Sequence, residues 1–387
     1  VEFGTLTATE VESDVESINN VRLLNPADMR NRFIFDRGDE PGLTIDDLDV
    51  DRYVLPNTPN EDVEQTLVAA LELDLSGVTN RTWQGLHLIS THGCGVVAAP
   101  ASTVQANERP AYTTPEVERP ELYFSPSIGG YAITNTDVRE DGCDNVEGGD
   151  DDYEGTLGVR MNSFARRAAF ALAFLEYNII GSGDIDNDSQ MLWVRGVNDR
   201  LEKLAPFLSY DADPYPVALD DRVVWVVDAY STTSRYPYAE SIGDIQLSSD
   251  TGLSRADNFV RNSVKAVVDA YTGDVTLYVV DDEPIIRAWR SAFPDLFTDF
   301  SEMPDELRDN LRYPEDLFRV QTDRYSKYRI DPADFFQRTG AWSVAQAPGR
   351  EPGANRAAAA TAVVDDSAAA NAFARESRAV RFSPYYT

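Results

Sequence analysis

Apolar positions along the chain alternate between helical and strand spacing, which predicts a fold with both element types. A long apolar run that follows Asn162 or Ser163 and continues to Ile180 predicts a capped, buried helix. The run 61–73 carries Val63, Leu67 and Leu71 at helical intervals and favours a helix there too.

Two β-hairpins are predicted in the second half of the sequence. Residues 217–230 (VALDDRVVWVVDAY) turn around Asp220 and Asp221, and residues 263–281 (SVKAVVDAYTGDVTLYVVD) turn at 272–274. Three helices with proline near the first turn follow, at 283–293, 304–311 and 314–328.

Strands and helices do not alternate regularly, which indicates a large α+β fold of antiparallel β-hairpins with packed helices. Composition changes along the chain predict five parts. These are an N-terminal α+β part (1–104), an acidic loop-rich insertion (105–156), a main α+β part (157–344), a low-complexity linker (345–372) and the start of a truncated C-terminal segment (373–387).

The net charge is the most informative feature of the composition. The chain has 66 acidic and 34 basic residues, a formal net charge of -32, and only three lysines. Such a surplus suits a salt-adapted surface, although an ordinary acidic secreted domain is the alternative. Nucleic acid is excluded as a partner and an anionic lipid surface is disfavoured, because both would be repelled.

No stretch reaches the roughly 20 apolar residues that a bilayer-spanning helix needs. The sequence opens on polar residues without a recognisable signal peptide, which favours a mature or excised fragment. Cys94 and Cys143 could form a disulfide bond outside the cytosol, but spacing alone does not show that they meet.

His87 and His92 are the two histidines of the chain, five residues apart in HLISTH. Neither a strand nor a helix points both toward one site, so a metal or general-base role would need outside ligands. A structural or hydrogen-bonding role is the alternative. The HGCG turn at 92–95 resembles an oxyanion-hole turn, but the sequence contains no G-x-S-x-G motif to partner it.

The loop GDIDNDSQ places Asp184, Asp186 and Asp188 in alternation, as at the start of a calcium loop. Ser189 and Arg195 depart from the EF-hand pattern, so the hypotheses are a Ca²⁺ or Na⁺ site of another kind, or a capped acidic loop. Ca²⁺ is the one cofactor suggested.

The repeated VDAY sequences carry Asp228 and Asp269, which would form a paired acid–base site if neighbouring strands aligned them. Capping of strand ends is the alternative. The segment 231–240 (STTSRYPYAE) contains Arg235 and Tyr236, which suit an exposed loop that binds an envelope glycan or protein; a packed loop is the alternative.

Several ordered motifs resemble uncharacterised protein family 0182. They include LHLISTHGCGVVAAPA, NSFARRAAFALAFLEYNIIGSGDIDNDSQMLWVR, VVWVVDAYSTTSRYPYAE and SEMPDELRDNLRYPEDLFRVQTDRYSKYRIDPADFF, and together the matching motifs cover most of residues 20–342. The resemblance implies an actinobacterial or cyanobacterial membrane protein whose transmembrane helices, absent here, precede a large extracytoplasmic region. The family usually has tyrosine where this chain has Cys94, which favours a lineage-specific disulfide with Cys143.

The resemblance carries no activity, so three functions are expected. The first is a non-enzymatic binding or scaffolding module at the outer face of the cell membrane, attached through segments absent from this chain. The second is an envelope hydrolase or metal-assisted enzyme that uses His92 and nearby carboxylates. The third is an accessory domain of a membrane transport system.

Overall fold

A computed structural model describes residues 23–37, 42–53, 63–105, 109–113, 115, 117–143, 153–219, 221–243, 245, 247–248 and 250–328. The helices are α1 (Pro26–Arg37), α2 (Phe164–Phe174), α3 (Asn178–Gly181), α4 (Val197–Leu204), α5 (Pro284–Ala292), α6 (Asp305–Asp309) and α7 (Glu315–Tyr328), with a π-helical turn at Gly85–Ile89 and a 3₁₀ turn at Phe300–Glu302. Helices α5, α6 and α7 confirm the three proline-led helices predicted from the sequence.

The strands are mostly short and antiparallel. They are β1 (Leu43–Thr44), β2 (Asp49–Tyr53), β3 (Glu64–Ala70), β4 (Glu72–Leu73), β5 (Gly93–Cys94), β6 (Val96–Pro100), β7 (Glu121–Leu122), β8 (Ala132–Thr134), β9 (Val159–Arg160), β10 (Gln190–Leu192), β11 (Ser209–Tyr210), β12 (Tyr215–Ala218), β13 (Val223–Thr233), β14 (Phe259–Asp269), β15 (Val275–Val279) and β16 (Phe297–Asp299).

The largest sheet of the described residues has the order β11-β13-β14-β15-β16, with β12 also paired to β13. Only the β15–β16 pair is parallel. β12 pairs antiparallel with β13, and β14 with β15, so both predicted hairpins are confirmed. The α+β class is confirmed as well, because helices pack around predominantly antiparallel sheets.

The prediction of a helix over residues 61–73 is wrong, because β3 and β4 lie within this stretch. β3 lies between β2 and β6, and all its residues are buried. Val68 and Ala70 enter one hydrophobic cluster while Leu67 and Ala69 enter another, so both faces of the strand meet apolar neighbours. A strand covered on both faces has no polar alternation to reveal it.

The buried helix expected from Asn162 or Ser163 to Ile180 is shorter and more exposed than predicted. α2 begins after the Ser163 cap and ends at Phe174, where Leu175 takes a left-handed conformation with φ 54. Within α2 only Ala171 is buried, and Leu172 is 75% exposed. No helix among the described residues is long and apolar enough to cross a membrane.

The main hydrophobic cluster joins distant parts of the chain. Val68 and Val96 from the β2-β3-β6 sheet pack with Val227 and Val264 of the largest sheet. The five-part domain division stays a prediction. Its linker (345–372) and C-terminal segment (373–387) lie outside the described residues.

A buried charge network ties β2, the largest sheet and the segment before α7 together. Lys265 of β14 lies 2.5 Å from Asp228 of β13, and its Nζ donates to the Arg312 carbonyl at 2.6 Å. The Arg312 guanidinium pairs with Asp49 and, at 3.1 Å, with Asp51 of β2. All five side chains are buried, so each charged group needs its oppositely charged partner to offset the cost of desolvation.

We predict that Arg312→Leu lowers the free energy of unfolding by about 3–5 kcal/mol, because Asp49 and Asp51 would remain buried without a cation. Urea denaturation at fixed salt measures it. Adding Asp49→Asn and Asp51→Asn should recover part of the loss. The control Arg319→Leu removes a partly exposed pair within α7 and should cost within about 1 kcal/mol; an equal loss in both variants would contradict the prediction.

Candidate functional site

The segment with Arg235 and Tyr236 lies at the far end of the longest strand pair. β13 and β14 run antiparallel over most of their length, and residues 234–240 after β13, here called the recognition loop, are all exposed. Tyr238 is fully exposed and Tyr236 is 53% exposed. The structure therefore presents a tyrosine-rich, arginine-containing segment to solvent at one end of the sheet.

The recognition loop is held by hydrogen bonds to one asparagine. The Tyr236 amide donates to Asn258 Oδ1 at 2.9 Å, and Asn258 Nδ2 donates back to the Tyr236 carbonyl at 2.8 Å. The Tyr236 ring stacks on Phe259 with centroids 5.4 Å apart. Tyr238 has φ 58, a left-handed conformation that costs a non-glycine residue on the order of 1 kcal/mol. The loop is thus ordered before any partner arrives.

His87 has a structural role. Its ring stacks on Tyr131 with centroids 4.1 Å apart, and its Nδ1 lies 2.9 Å from the Tyr131 carbonyl. A carbonyl accepts only, so Nδ1 carries the proton and donates. Burial lowers the pKa of His87, and the ring is therefore neutral at neutral pH.

His92 is also buried, and it lies beside the disulfide bond that joins Cys94 and Cys143. Its Nδ1 donates to the Gly93 carbonyl at 2.9 Å, and burial lowers its pKa. His92, Cys94 and Cys143 form the one close group of three potential metal-ligand residues among the described residues. Because both sulfurs are bonded to each other, they offer no thiolate to a metal.

A buried polar cluster beside His92 was not predicted. Glu140 accepts hydrogen bonds from the hydroxyls of Thr91 and Tyr123, and burial raises its pKa to about 7. Arg195 is 1% exposed and donates to the carbonyls of Tyr123 and Thr91, while its Nη1 has no hydrogen-bond partner among the described residues. Desolvation lowers the Arg195 pKa to about 10, so it stays charged at neutral pH.

This cluster could hold or release a proton near neutral pH, which is the range that general acid–base chemistry uses. Its members come from four separate stretches of sequence. No spacing rule relates Glu140 or Arg195 to His92, and only the sheets and the disulfide bring them together. The sequence therefore contains no signal that identifies the cluster.

Asp184 and Asp186 of the GDIDNDSQ loop accept hydrogen bonds mainly from residues of the same loop. Asp184 accepts from Ser182 at 2.7 Å and from Gln84 at 2.5 Å, and these hydrogen bonds lower its pKa. Asp186 Oδ1 accepts from the amides of Asp188 and Ser189 at 2.8 and 2.9 Å. This is the geometry of a capped loop. Ca²⁺ binding at Asp184, Asp186 and Asp188 stays a prediction.

Asp228 and Asp269 are not brought together. Their strands are neighbours, but the antiparallel register places Asp228 opposite Lys265 and Asp269 opposite Val224. Asp269 accepts from the amides of Tyr271 and Thr272, both at 2.8 Å, and so caps the hairpin turn. The paired acid–base site suggested by the VDAY repeat does not form.

An acidic cavity of about 260 Å³ opens beside β2. Its carboxylates include Asp46, Asp47, Asp49, Glu72, Asp213 and Asp250. Burial raises the pKa of Asp49 to about 6 and raises that of Asp213 as well. The acid-rich stretch 44–51 (TIDDLDVD) was the one available sequence signal for this cavity.

We predict that Glu140→Gln flattens the pH dependence of stability between pH 4.5 and about 7. The folded-state pKa of Glu140 is about 7 against an ordinary 4.5, so in this window the folded protein holds a proton that the unfolded chain releases. Stability therefore falls as pH rises, by at most about 1.4 kcal/mol per pH unit for this group. Denaturation at pH 5, 6, 7 and 8 measures the slope.

Glutamine removes this ionisation, so the variant should lose that part of the wild-type slope. The control Glu202→Gln changes an exposed helix residue and should keep the slope. A wild-type slope in Glu140→Gln would place the titrating group elsewhere.

We predict that replacing both cysteines, Cys94→Ser with Cys143→Ser, lowers unfolding free energy by about 2–4 kcal/mol. The bond closes a loop with a sequence separation of 49, which restricts the unfolded chain. Urea melts with and without dithiothreitol measure the effect. Reductant should shift the wild type toward the variant and leave the variant unchanged; a reductant-insensitive wild type would count against the bond.

Comparison with known proteins gives a consistent family assignment. The profile of the uncharacterised protein family UPF0182 matches residues 2–387. A UPF0182 protein of Desulforamulus reducens is 35% identical over 88% of this chain and 37% of its own length. Relatives from Frankia casuarinae (38% identical, 89% of this chain, 36% of the relative) and Methanospirillum hungatei (34%, 88% and 38%) are similar.

The chain thus spans less than two fifths of the length of these relatives. No solved structure matches it. The whole-chain profile match and relatives above 30% identity agree on one assignment. This chain belongs to the uncharacterised protein family UPF0182.

Proposed function

We propose that this chain is the extracytoplasmic binding or scaffolding module of a membrane-anchored envelope protein, and that its recognition loop contacts an envelope protein or glycan. The observation that carries the proposal is the exposed, pre-ordered loop at 234–240. Tyrosine and arginine dominate binding hot spots because they bring large contact area and several donors.

Preorganisation makes this loop suited to binding. Asn258 holds the loop backbone at Tyr236, and Phe259 supports the Tyr236 ring. A partner therefore meets Arg235 and Tyr238 on a fixed backbone, and less ordering entropy is lost on association. Strained backbone such as that of Tyr238 is typical of functional loops.

The disulfide supports the extracytoplasmic location. Structural disulfides persist in oxidising compartments and are rare in the cytosol. We propose that the membrane anchor lies in segments outside this chain. The relatives are more than twice as long as this chain, so their length can accommodate such segments.

The state of the histidines favours a binding module over a hydrolase. His87 and His92 are neutral and both donate Nδ1–H to backbone carbonyls. A general base needs its free nitrogen directed at a substrate proton. His92 is instead 8% exposed and packs against Tyr123 and the disulfide.

We predict that Arg235→Ala with Tyr238→Ala weakens binding on the order of tenfold or more, because two central contacts are lost. The measurement is cosedimentation with isolated cell-wall glycan in one arm and crosslinking to solubilised envelope proteins in the other. The arm in which wild type binds identifies the partner class. Tyr236 is left in place because it stacks on Phe259.

The control variant Arg287→Ala with Tyr325→Ala removes an exposed arginine and an exposed tyrosine from helices α5 and α7. It should bind like the wild type. Both variants should retain the wild-type circular dichroism spectrum. Undiminished binding by the loop variant would refute the proposed contact surface.

A further inference from the structure

The segment 157–175 differs in charge from the rest of the chain. It contains Arg160, Arg166 and Arg167 and no aspartate or glutamate, although the whole chain carries 66 acidic residues. It includes all of α2. The segment is therefore locally basic within a strongly acidic chain.

The outward side of α2 is apolar. Phe164 is 71% exposed, Leu172 is 75% exposed, and Leu175 just after the helix is 87% exposed. Phe164 and Leu172 are eight residues apart, about 80° around the helix axis, and so share one side of α2, and Leu175 follows the end of the helix. Together with the exposed Ala165, Ala169 and Ala173, these residues form what we call the outer face of α2.

The opposite side of α2 already has its packing partners. Ala171 is buried in a cluster with Leu88 and Ile133, and Phe170 and Phe174 pack against the same cluster. A helix that is apolar on all sides is normally covered on all sides. The outer face of α2 has no such cover among the described residues.

Arg160 and Arg166 keep their positive charge available, whereas Arg167 interacts electrostatically with the Asp186 carboxylate. Arg166 donates to the Arg160 carbonyl and Asn162 Oδ1, and Arg167 donates to the carbonyls of Met161 and Asp186. Every one of these acceptors is neutral. No carboxylate of the described residues lies within ion-pair distance of Arg160, Arg166 or Arg167.

We propose that the outer face of α2 lies on an anionic lipid bilayer, with its apolar side chains at the boundary between headgroups and acyl chains. Arg160 and Arg166 then meet lipid phosphates. Exposed Phe and Leu flanked by arginine are the features of helices that bind in the membrane interface. This site is separate from the recognition loop and holds whether or not that loop binds a partner.

The net charge of -32 opposes approach to an anionic surface, and this was the ground for disfavouring lipid from composition alone. Salt changes that balance, because the Debye length is about 8 Å at physiological ionic strength. Carboxylates farther away than this are largely screened, while arginines in direct contact with phosphate are not. Within the segment 157–175 no carboxylate opposes such contact, although Glu176 follows the segment directly.

The test is flotation of the full chain with vesicles of equal phosphatidylglycerol and phosphatidylcholine, and with vesicles of phosphatidylcholine alone. Wild type should bind the anionic vesicles more strongly. Phe164→Ser with Leu172→Ser should reduce partitioning about tenfold or more, since burial of one such side chain changes an equilibrium constant about tenfold. Arg160→Glu with Arg166→Glu should reduce binding to the anionic vesicles only.

Matched controls are available in the chain. Leu23→Ser with Phe35→Ser changes two apolar residues of similar exposure, 64% and 70%, on and just before α1. Lys203→Glu with Arg287→Glu makes the same change in net charge on α4 and α5. Both controls should bind like wild type, and so should Arg235→Ala with Tyr238→Ala in the recognition loop.

Three results would overturn the proposal. Wild type could fail to bind the anionic vesicles, or the matched controls could lose binding equally. Light scattering could show a dimer that Phe164→Ser with Leu172→Ser dissociates, in which case a second copy of this chain covers the face. Circular dichroism and thermal melting establish that each variant is folded, so a loss of binding reports on the surface.

Discussion

The fold depends on charges that are buried where three parts of the chain meet. Arg312 pairs with Asp49 and Asp51 of β2, and Lys265 pairs with Asp228 inside the largest sheet while donating to the Arg312 carbonyl. Separating these parts would leave ionised groups in an apolar interior, at a cost of several kcal/mol for each. The network therefore fixes how β2, the sheet and the segment before α7 sit relative to one another.

That constraint decides what Asp228 does. Two aspartates in a repeated VDAY motif suggested a carboxylate pair, but the antiparallel register gives Asp228 a lysine and leaves Asp269 to cap a turn. The Asp228 carboxylate also accepts from Asn262 Nδ2 at 2.9 Å. A carboxylate with these partners has a structural role. The exposed residues lie instead in the recognition loop, at the end of β13.

The hairpins were predictable because alternating valines and a Thr-Gly-Asp turn determine them locally. β3 was not, because Leu67 and Val68 both meet apolar clusters and the strand has no polar side. The exposure of residues 234–240 matches the expectation from Arg235 and Tyr236, whereas the cluster of Glu140 and Arg195 exists only after distant segments pack. The burial of α2 was overestimated because its composition is apolar on the packed and the exposed sides alike.

The preference for arginine over lysine fits what the cations do here. Arg312 contacts two carboxylates and lies over the Tyr215 ring at 4.2 Å, and Arg195 donates to two carbonyls inside the protein. A planar guanidinium can serve several fixed acceptors at once, which a single ammonium does less well. In a chain with so few cations, each buried arginine organises several groups. Arg166 instead bonds only neutral acceptors, the Arg160 carbonyl and Asn162 Oδ1, which leaves its charge available to an outside surface.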